Sequence, residues 1–322
     1  MGTEKLTCFG KLRGWRSTLA LFLLCATMAI TSRAQTFTSL ASFNESTTGV
    51  NPVPVALVQG LDGNFYGTAS GGGINSTSGG GTVFKITPSG TLTTLYNFCS
   101  QTNCADGSDP IAGLVQTVDG NLYGTTAGGG ANERGTVFKI TPSGTLTTIY
   151  SFCAQTNCAD GSIPFAGLVQ GADGNFYGTT EVGGRGSSPS CGNGAGCGTV
   201  FKLTPGGTLT TLYSFCIQPS CTDGSLPLAG LVQATDGSLY GTTSQGGAYA
   251  NGEVFKVIRS GTLTTLQSFD YNSNPYAGLV QARDGSLYGT TNGCSDGVCN
   301  GNGTVYKVTL KRPVSRRPLQ RR

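Results

Sequence analysis

The chain has 322 residues, with 52 glycines, 12 cysteines, no histidine and 11% charged residues. It therefore lacks the residue on which most acid–base triads and mixed Cys/His zinc sites depend, and it carries no nucleophile motif. The formal net charge of +4 is carried by the two ends, and the acidic body between them argues against a nucleic-acid partner.

Residues 1–34 read as a secretory signal. Lys5, Lys11, Arg13 and Arg16 give a basic start, Leu19 to Ile30 is apolar, and Ser32-Arg33-Ala34 offers small residues at the cleavage-reading positions. The run is short for a membrane span, and an uncleaved anchor is the alternative reading. No later stretch could cross a bilayer. Residues 35–322 are expected to be secreted and monomeric, in the extracellular space, at the cell surface or in the periplasm.

From Thr36 onward the chain is a repeat. The phrase G-L-V-Q-x-x-D-G-x-x-Y-G-T recurs with its Asp at Asp62, Asp119, Asp173, Asp236 and Asp284. The phrase G-T-V-F-K recurs with its Lys at Lys85, Lys139, Lys202, Lys256 and Lys307. A third, T-L-T-T-L-Y-S-F, follows in four copies ending at Phe98, Phe152, Phe215 and Phe269. It is missing after the last G-T-V-Y-K, yet a version of it, T-F-T-S-L-A-S-F at Thr36 to Phe43, opens the chain.

Each unit breaks into four short segments of strand chemistry. In the second these are Ala112 to Gln116, Asn121 to Thr126, Gly135 to Thr141 and Thr145 to Phe152. Asp119-Gly120 and Pro142-Ser143-Gly144 are turn signals, because glycine tolerates the positive φ such turns demand. The last segment alternates Leu146, Thr148 and Tyr150 against Thr147, Ile149 and Ser151. No helical apolar stripe of useful length is present. A regular all-β unit of this length predicts an all-β, five-bladed β-propeller of four-stranded antiparallel blades over residues 35–310. Thr36 to Phe43 is expected to join the last blade and close the ring, which removes two open sheet edges. Residues 311–322, basic and proline-broken, are expected to be a disordered tail.

Two cysteines lie in the leader. The other ten form five close pairs: Cys99/Cys104, Cys153/Cys158, Cys191/Cys197, Cys216/Cys221 and Cys294/Cys299. On a secreted chain they read as disulfides. Zinc is the rival reading, and the spacing and the lack of histidine speak against it.

The joined phrases, G-L-V-Q-x-x-D-G-N-L-Y-G-T-T-x-G-G and G-T-V-F-K-I-T-P-S-G-T-L-T-T-L-Y-S-F, resemble the Gloeo/Verruco tandem repeat of secreted bacterial surface proteins, over nearly all of Thr36 to Thr309. That resemblance implies no established biochemical activity and transfers no catalytic residue. Members commonly carry a C-terminal sorting anchor, and the sequence of residues 311–322 has no apolar run, so surface attachment is not expected from it.

Strand direction puts the two nearly unchanged turns of each unit on one rim. The loops after strand two (Gly71 to Gly81, Gly183 to Cys197, Gly293 to Gly301) and the inter-blade connections fall on the other, where length and content vary. This disulfide-stapled rim is the expected ligand face. Ile111, Phe165, Leu228 and Tyr276 share one position, after a proline and before strand one, and would ring the channel mouth. Phe165 and Tyr276, with Tyr249 and Tyr271 on nearby loops, are candidate ligand-binding aromatics; a hydrophobic plug is the plainer reading. Gln59, Gln116, Gln170, Gln233 and Gln281 are expected to tie strand ends together, and the repeated Lys to pair with the turn Asp.

Among the acids, Asp106, Asp160 and Asp223 repeat beside a cysteine. They are candidates for calcium, which wants six to eight oxygens, more than D-G-S supplies. No cofactor and no metal are expected. Glu45, Asp109, Glu133, Glu181, Glu253, Asp270 and Asp296 break the repeat, in or beside variable-rim loops. Asp109, Glu181 and Asp270 are the candidate catalytic acids, since glycoside cleavage needs two carboxyl groups about 5 Å apart or wider. The expected function is a secreted, non-catalytic binding or scaffold module for a carbohydrate or an extracellular protein. The alternative is a glycan-active hydrolase or lyase.

Overall fold

The structure is a computed structural model. It describes residues 35–52, 57–75, 80–191, 196–270, 273–295, 298–299 and 302–310. The expected signal at 1–34, the tail at 311–322, Tyr271, Asp296 and the side chains of Cys294 and Cys299 lie outside the described residues. The chain divides into Met1–Ser39 and Leu40–Arg322. In the first unit, residues 35–39 form no strand. The second unit holds every sheet.

The alternating apolar and hydroxyl residues fold into antiparallel sheets in sequence order. Sheet I contains β1 (Val50–Pro52), β2 (Val58–Gln59), β3 (Phe65–Gly71), β4 (Thr82–Ile86) and β5 (Leu92–Asn97). Sheet II contains β6 (Val115–Gln116), β7 (Leu122–Thr126), β8 (Thr136–Ile140) and β9 (Leu146–Ser151). Sheet III contains β10 (Val169–Gln170), β11 (Phe176–Thr180), β12 (Thr199–Leu203) and β13 (Leu209–Ser214). Sheet IV contains β14 (Val232–Gln233), β15 (Leu239–Thr243), β16 (Glu253–Val257) and β17 (Leu263–Ser268). Sheet V has three strands, β18 (Val280–Gln281), β19 (Leu287–Thr291) and β22 (Thr304–Val308), and beside it lies a small hairpin of β20 (Cys294–Ser295) and β21 (Val298–Cys299).

The turn chemistry is the expected one. In the first Asp-Gly turn Gly63 has φ 80°, and Asp62 Oδ1 accepts the Asn64 N–H at 3.1 Å. Asp62 Oδ2 also accepts the Tyr66 hydroxyl at 2.7 Å, which locks the turn onto its own second strand. Tyr177 to Asp173 and Tyr240 to Asp236 repeat that bond at 2.7 and 2.8 Å. The expected Lys–Asp pairing is present between Lys256 and Asp236 at 2.8 Å and between Lys307 and Asp284 at 2.9 Å.

Two expectations about the strands are corrected. Strand one is only two residues long in each unit; three residues ahead of β6 the chain already turns to the neighbouring sheet, where Thr68 Oγ1 donates to the Ala112 carbonyl at 2.8 Å. Strict alternation in the fourth strand is broken by a bulge. Val137 pairs with Tyr150 and Phe138 with Thr148, so Ile149 is the extra residue, and both it and Leu146 are partly buried.

The core lies between sheets. One face of each sheet presents a Tyr, a Val and a Phe to the Leu or Phe, Phe and aliphatic residues of the next. Tyr66, Val83 and Phe98 thus meet Leu122, Phe138 and Ile140. The ring contacts repeat edge-on or tilted as Phe98–Phe138, Phe152–Phe201, Phe215–Phe255 and Phe269–Tyr306, at 5.0–5.2 Å. Hydroxyl-to-carbonyl bonds repeat with them: Thr125 to Ala166, Thr179 to Ala229 and Thr242 to Ala277, at 3.0, 3.1 and 3.2 Å. The glutamines do tie units together, since Gln116, Gln233 and Gln281 accept the Leu61, Ala172 and Thr235 N–H groups at 2.8, 2.9 and 3.0 Å.

These contacts make four seams, I–II to IV–V. The far face of sheet V is different. Val83, Val137, Val200 and Val254 are wholly buried, whereas the equivalent Val305 is 79% exposed and Val280 is 67% exposed. The fourth strand expected on β22 is not present among the described residues; β22 pairs with β19 alone. At the other end, Leu40 and Phe43 lie against sheet I. Phe43 packs edge-on to Phe84 at 4.9 Å, as Phe98 packs on Phe138. The Leu40 carbonyl crowds Gly90 as the Leu95 carbonyl crowds Gly144, and neither glycine leaves room for a Cβ. Leu40 to Phe43 therefore take the place of a preceding sheet's last strand without forming ladder bonds.

Candidate functional site

Each connection between sheets ends in a proline that seats against the glycine of the preceding G-T-V-F-K phrase. A Cβ on Gly81, Gly135, Gly198 or Gly252 would stand 2.4–2.9 Å from the Cδ of Pro110, Pro164, Pro227 or Pro275. These four glycines have φ between 85° and 101°, so the position excludes a side chain on both counts. The proline fixes where the next residue points. The consequence is that Ile111, Phe165, Leu228 and Tyr276 converge, as the sequence predicts, on one pocket of about 530 Å³. Its remaining wall is alanine and glycine, and no charged side chain lines it. Phe165 and Tyr276 are 43% and 45% exposed and form its accessible rings.

The other candidates do not join them. Tyr249 lines a separate groove of about 560 Å³ with Phe269, Asp270, Tyr306 and Lys307, alongside the unpaired edge of β22. Asp109 and Glu181 line neither cavity. Partial burial raises the pKa of both carboxyl groups. The geometry thus places one candidate acid by a groove and two elsewhere on the rim.

The repeated acids beside the cysteines have a structural task. Asp106, Asp160 and Asp223 are buried. Asp160 Oδ2 accepts the Tyr150 hydroxyl at 2.7 Å and the Ala154 N–H at 3.0 Å, while Oδ1 accepts the Gln155 N–H at 3.1 Å. Asp106 and Asp223 repeat this with Tyr96 and Tyr213. Burial, with the carboxylate beside it, pushes the Tyr96 hydroxyl up to about 12. Each carboxylate accepts N–H and O–H donors of its own loop and so pins that loop as a charged acceptor. The loops so pinned carry disulfides Cys99–Cys104, Cys153–Cys158 and Cys216–Cys221, and Cys191–Cys197 closes the loop after strand two of sheet III. Cys294 and Cys299 are opposite register partners of the β20–β21 hairpin.

One buried acid was legible only as a break in the repeat. Glu253 stands where the other units have Thr82, Thr136, Thr199 and Thr304. It is not a loop residue but opens β16, wholly buried. Its Oε2 accepts the Thr265 hydroxyl at 3.0 Å, and its Oε1 has no partner. Burial, then the nearby Asp223 charge, raise its pKa to about 8, against the Thr265 bond.

The sequence matches the Gloeobacter/Verrucomicrobia repeat model over residues 10–215 and 186–316, and the chain belongs to that family. Among curated proteins none matches it. Similar solved structures include a protein of unknown function from Dyadobacter fermentans, with a TM-score of 0.48 and 12% identity over 83% of this chain and 84% of that one. A gluconolactonase from Xanthomonas campestris gives a TM-score of 0.41 and 13% identity over 77% of this chain and 83% of that one. The periplasmic gluconolactonase of Pseudomonas aeruginosa gives 0.38 and 15% over 85% and 92%.

Proposed function

We propose that this is a secreted, non-catalytic binding module whose five sheets close into a propeller and whose mouth pocket takes a neutral sugar ring of an extracellular glycan. The observation that carries the reading is the convergence of Phe165 and Tyr276 with Ile111 and Leu228 on one uncharged pocket. Aromatic faces beside apolar walls suit the C–H face of a sugar, and the absence of charge disfavours an ionic ligand. The four disulfides are compatible with secretion, as is the fact that no helix among the described residues is long and apolar enough to cross a membrane.

Closure is supported by the seat that Leu40 and Phe43 take on sheet I. It needs the opening T-F-T-S-L-A-S-F segment to serve as the fourth strand of sheet V, and it would cover Val280 and Val305. The glycan-active alternative rests on Asp109, Glu181 and Asp270, which do not line the mouth pocket. The test is binding of the protein to an array of neutral glycans, with the Phe165→Ala/Tyr276→Ala variant alongside. Binding weakened roughly tenfold by the double variant is the expected result. Equal binding by the variant overturns the pocket assignment. Turnover of any glycan favours the enzyme, and retention of peptides alone favours a protein partner.

A further inference from the structure

The sulfur atoms on the variable rim are not evenly spread. Cys191–Cys197 belongs to the loop after strand two of sheet III, and Cys216–Cys221 to the connection between sheets III and IV. The fold lays one on the other. Sγ atoms of Cys197, Cys216 and Cys221 all lie within 4.8 Å of one another, and Cys191 is bonded to the first of them. Among the described residues this is where three or more metal-ligating side chains meet. The approach is built into the backbone. Gly186 lies so close to the Phe215 carbonyl that a Cβ there would overlap it, at 1.7 Å. Cys191, Cys197 and Cys216 are buried, while Cys221 is half-buried and borders a cavity of about 210 Å³ with Ser220, Ser225, Gln245 and Asn251.

We propose that these four cysteines form a soft-metal site in their dithiol state, in which one zinc(II) replaces two disulfides as the staple of this rim. In a tetrahedral zinc site with Zn–S near 2.3 Å, neighbouring sulfurs stand about 3.8 Å apart. Once reduced, each bonded pair must therefore spread, and Cys191, which lies outside the group of three, must swing in with Cys197, while the two pairs already face one another within 4.8 Å through Cys197, Cys216 and Cys221. The tight spacing usual in zinc motifs is absent from the sequence because the set is assembled from two separate pairs. Each disulfide takes two electrons and two protons from a dithiol reductant, which leaves as its own disulfide. Zinc(II) then displaces protons from the thiols as it binds and keeps its oxidation state. The cavity at Cys221 is the entry path. Cys99–Cys104 and Cys153–Cys158 have no second pair against them, so reduction there yields two thiols and no tetrathiolate.

The experiment uses the whole purified protein, reduced anaerobically with dithiothreitol, freed of reductant and titrated with cobalt(II) and then zinc(II). Cobalt should bind at one equivalent with the intense visible bands of tetrahedral thiolate coordination, and zinc should bleach them. Alkylation of the zinc-loaded protein followed by peptide mapping should leave Cys191, Cys197, Cys216 and Cys221 protected at least tenfold over Cys99, Cys104, Cys153 and Cys158. Weak octahedral cobalt spectra overturn the proposal. So does equal labelling of all cysteines, including the case in which the reduced chain unfolds, and so does protection centred on another pair.

Discussion

The seam between sheets III and IV and the far face of sheet V are built from the same residues and end in opposite states. Val200 is wholly buried, whereas Val305, at the same place in its repeat, is 79% exposed. Phe215 lies at 5.1 Å from Phe255, and Thr179 donates across to Ala229. Nothing in the phrase G-T-V-F-K or G-T-V-Y-K dictates the difference. What differs is the neighbour. A repeat of this kind cannot bury its own apolar face, and its stability comes from the unit beside it. The fifth unit is therefore where the account is easiest to break.

The largest effects should come from charging that face. Val200→Asp puts an unpaired carboxylate in a sealed seam and should cost on the order of 4 kcal/mol, read as a fall in the urea midpoint. Val305→Asp sharpens the comparison. In a closed ring it should approach the same loss; on an open face it should change stability by less than about 0.5 kcal/mol. Asp160→Ala should come next, at about 3 kcal/mol, because it strands a tyrosine hydroxyl and two N–H groups in the rim loop. Among the described residues no carboxylate repeats this role between sheets IV and V, and the sequence from Asp270 to Asn274 has no cysteine pair.

Glu253→Thr should act in the stabilising direction. In the folded chain Glu253 keeps its proton to about pH 8, and in the unfolded chain it releases it near its ordinary 4.5. The folded state therefore holds the proton more tightly. Its stability is undiminished below pH 4.5, falls as the pH rises from there, and is lowest above pH 8. The variant should flatten that slope and gain most at about pH 9, measured by melting across pH; an unchanged profile would show that Glu253 ionises freely. The smallest effect belongs to Lys256→Met. The Lys256–Asp236 pair is partly exposed, and losing it should cost no more than about 1 kcal/mol and less at high salt.

Much of this was legible in the sequence because repetition averages out local ambiguity. Five copies of Asp-Gly, each followed by a strand beginning at the second residue on, locate the hairpins. The proline before Ile111, Phe165, Leu228 and Tyr276 was enough to bring those four together. The buried roles of Asp106, Asp160 and Asp223 were harder to see, since a carboxylate two residues after a cysteine reads equally as an exposed loop acid; the signal was the tyrosine ten residues earlier in each of these units, whose hydroxyl needs an acceptor. Glu253 looked like loop variation, yet its place in the G-E-V-F-K phrase already put it on a strand at a buried threonine position. The contact between the disulfides Cys191–Cys197 and Cys216–Cys221 could not be read, because it depends on a glycine-rich loop folding back onto Cys216.

Closure is the claim on which the mouth pocket and the rim both depend, and hydrogen exchange at β22 tests it most directly. In the full protein the outward amides of residues 304–308 should exchange slowly, like those of β12. Removing residues 35–43 should speed them by at least a hundredfold while β12 stays protected. Fast exchange in both proteins, or slow exchange in both, would contradict the account.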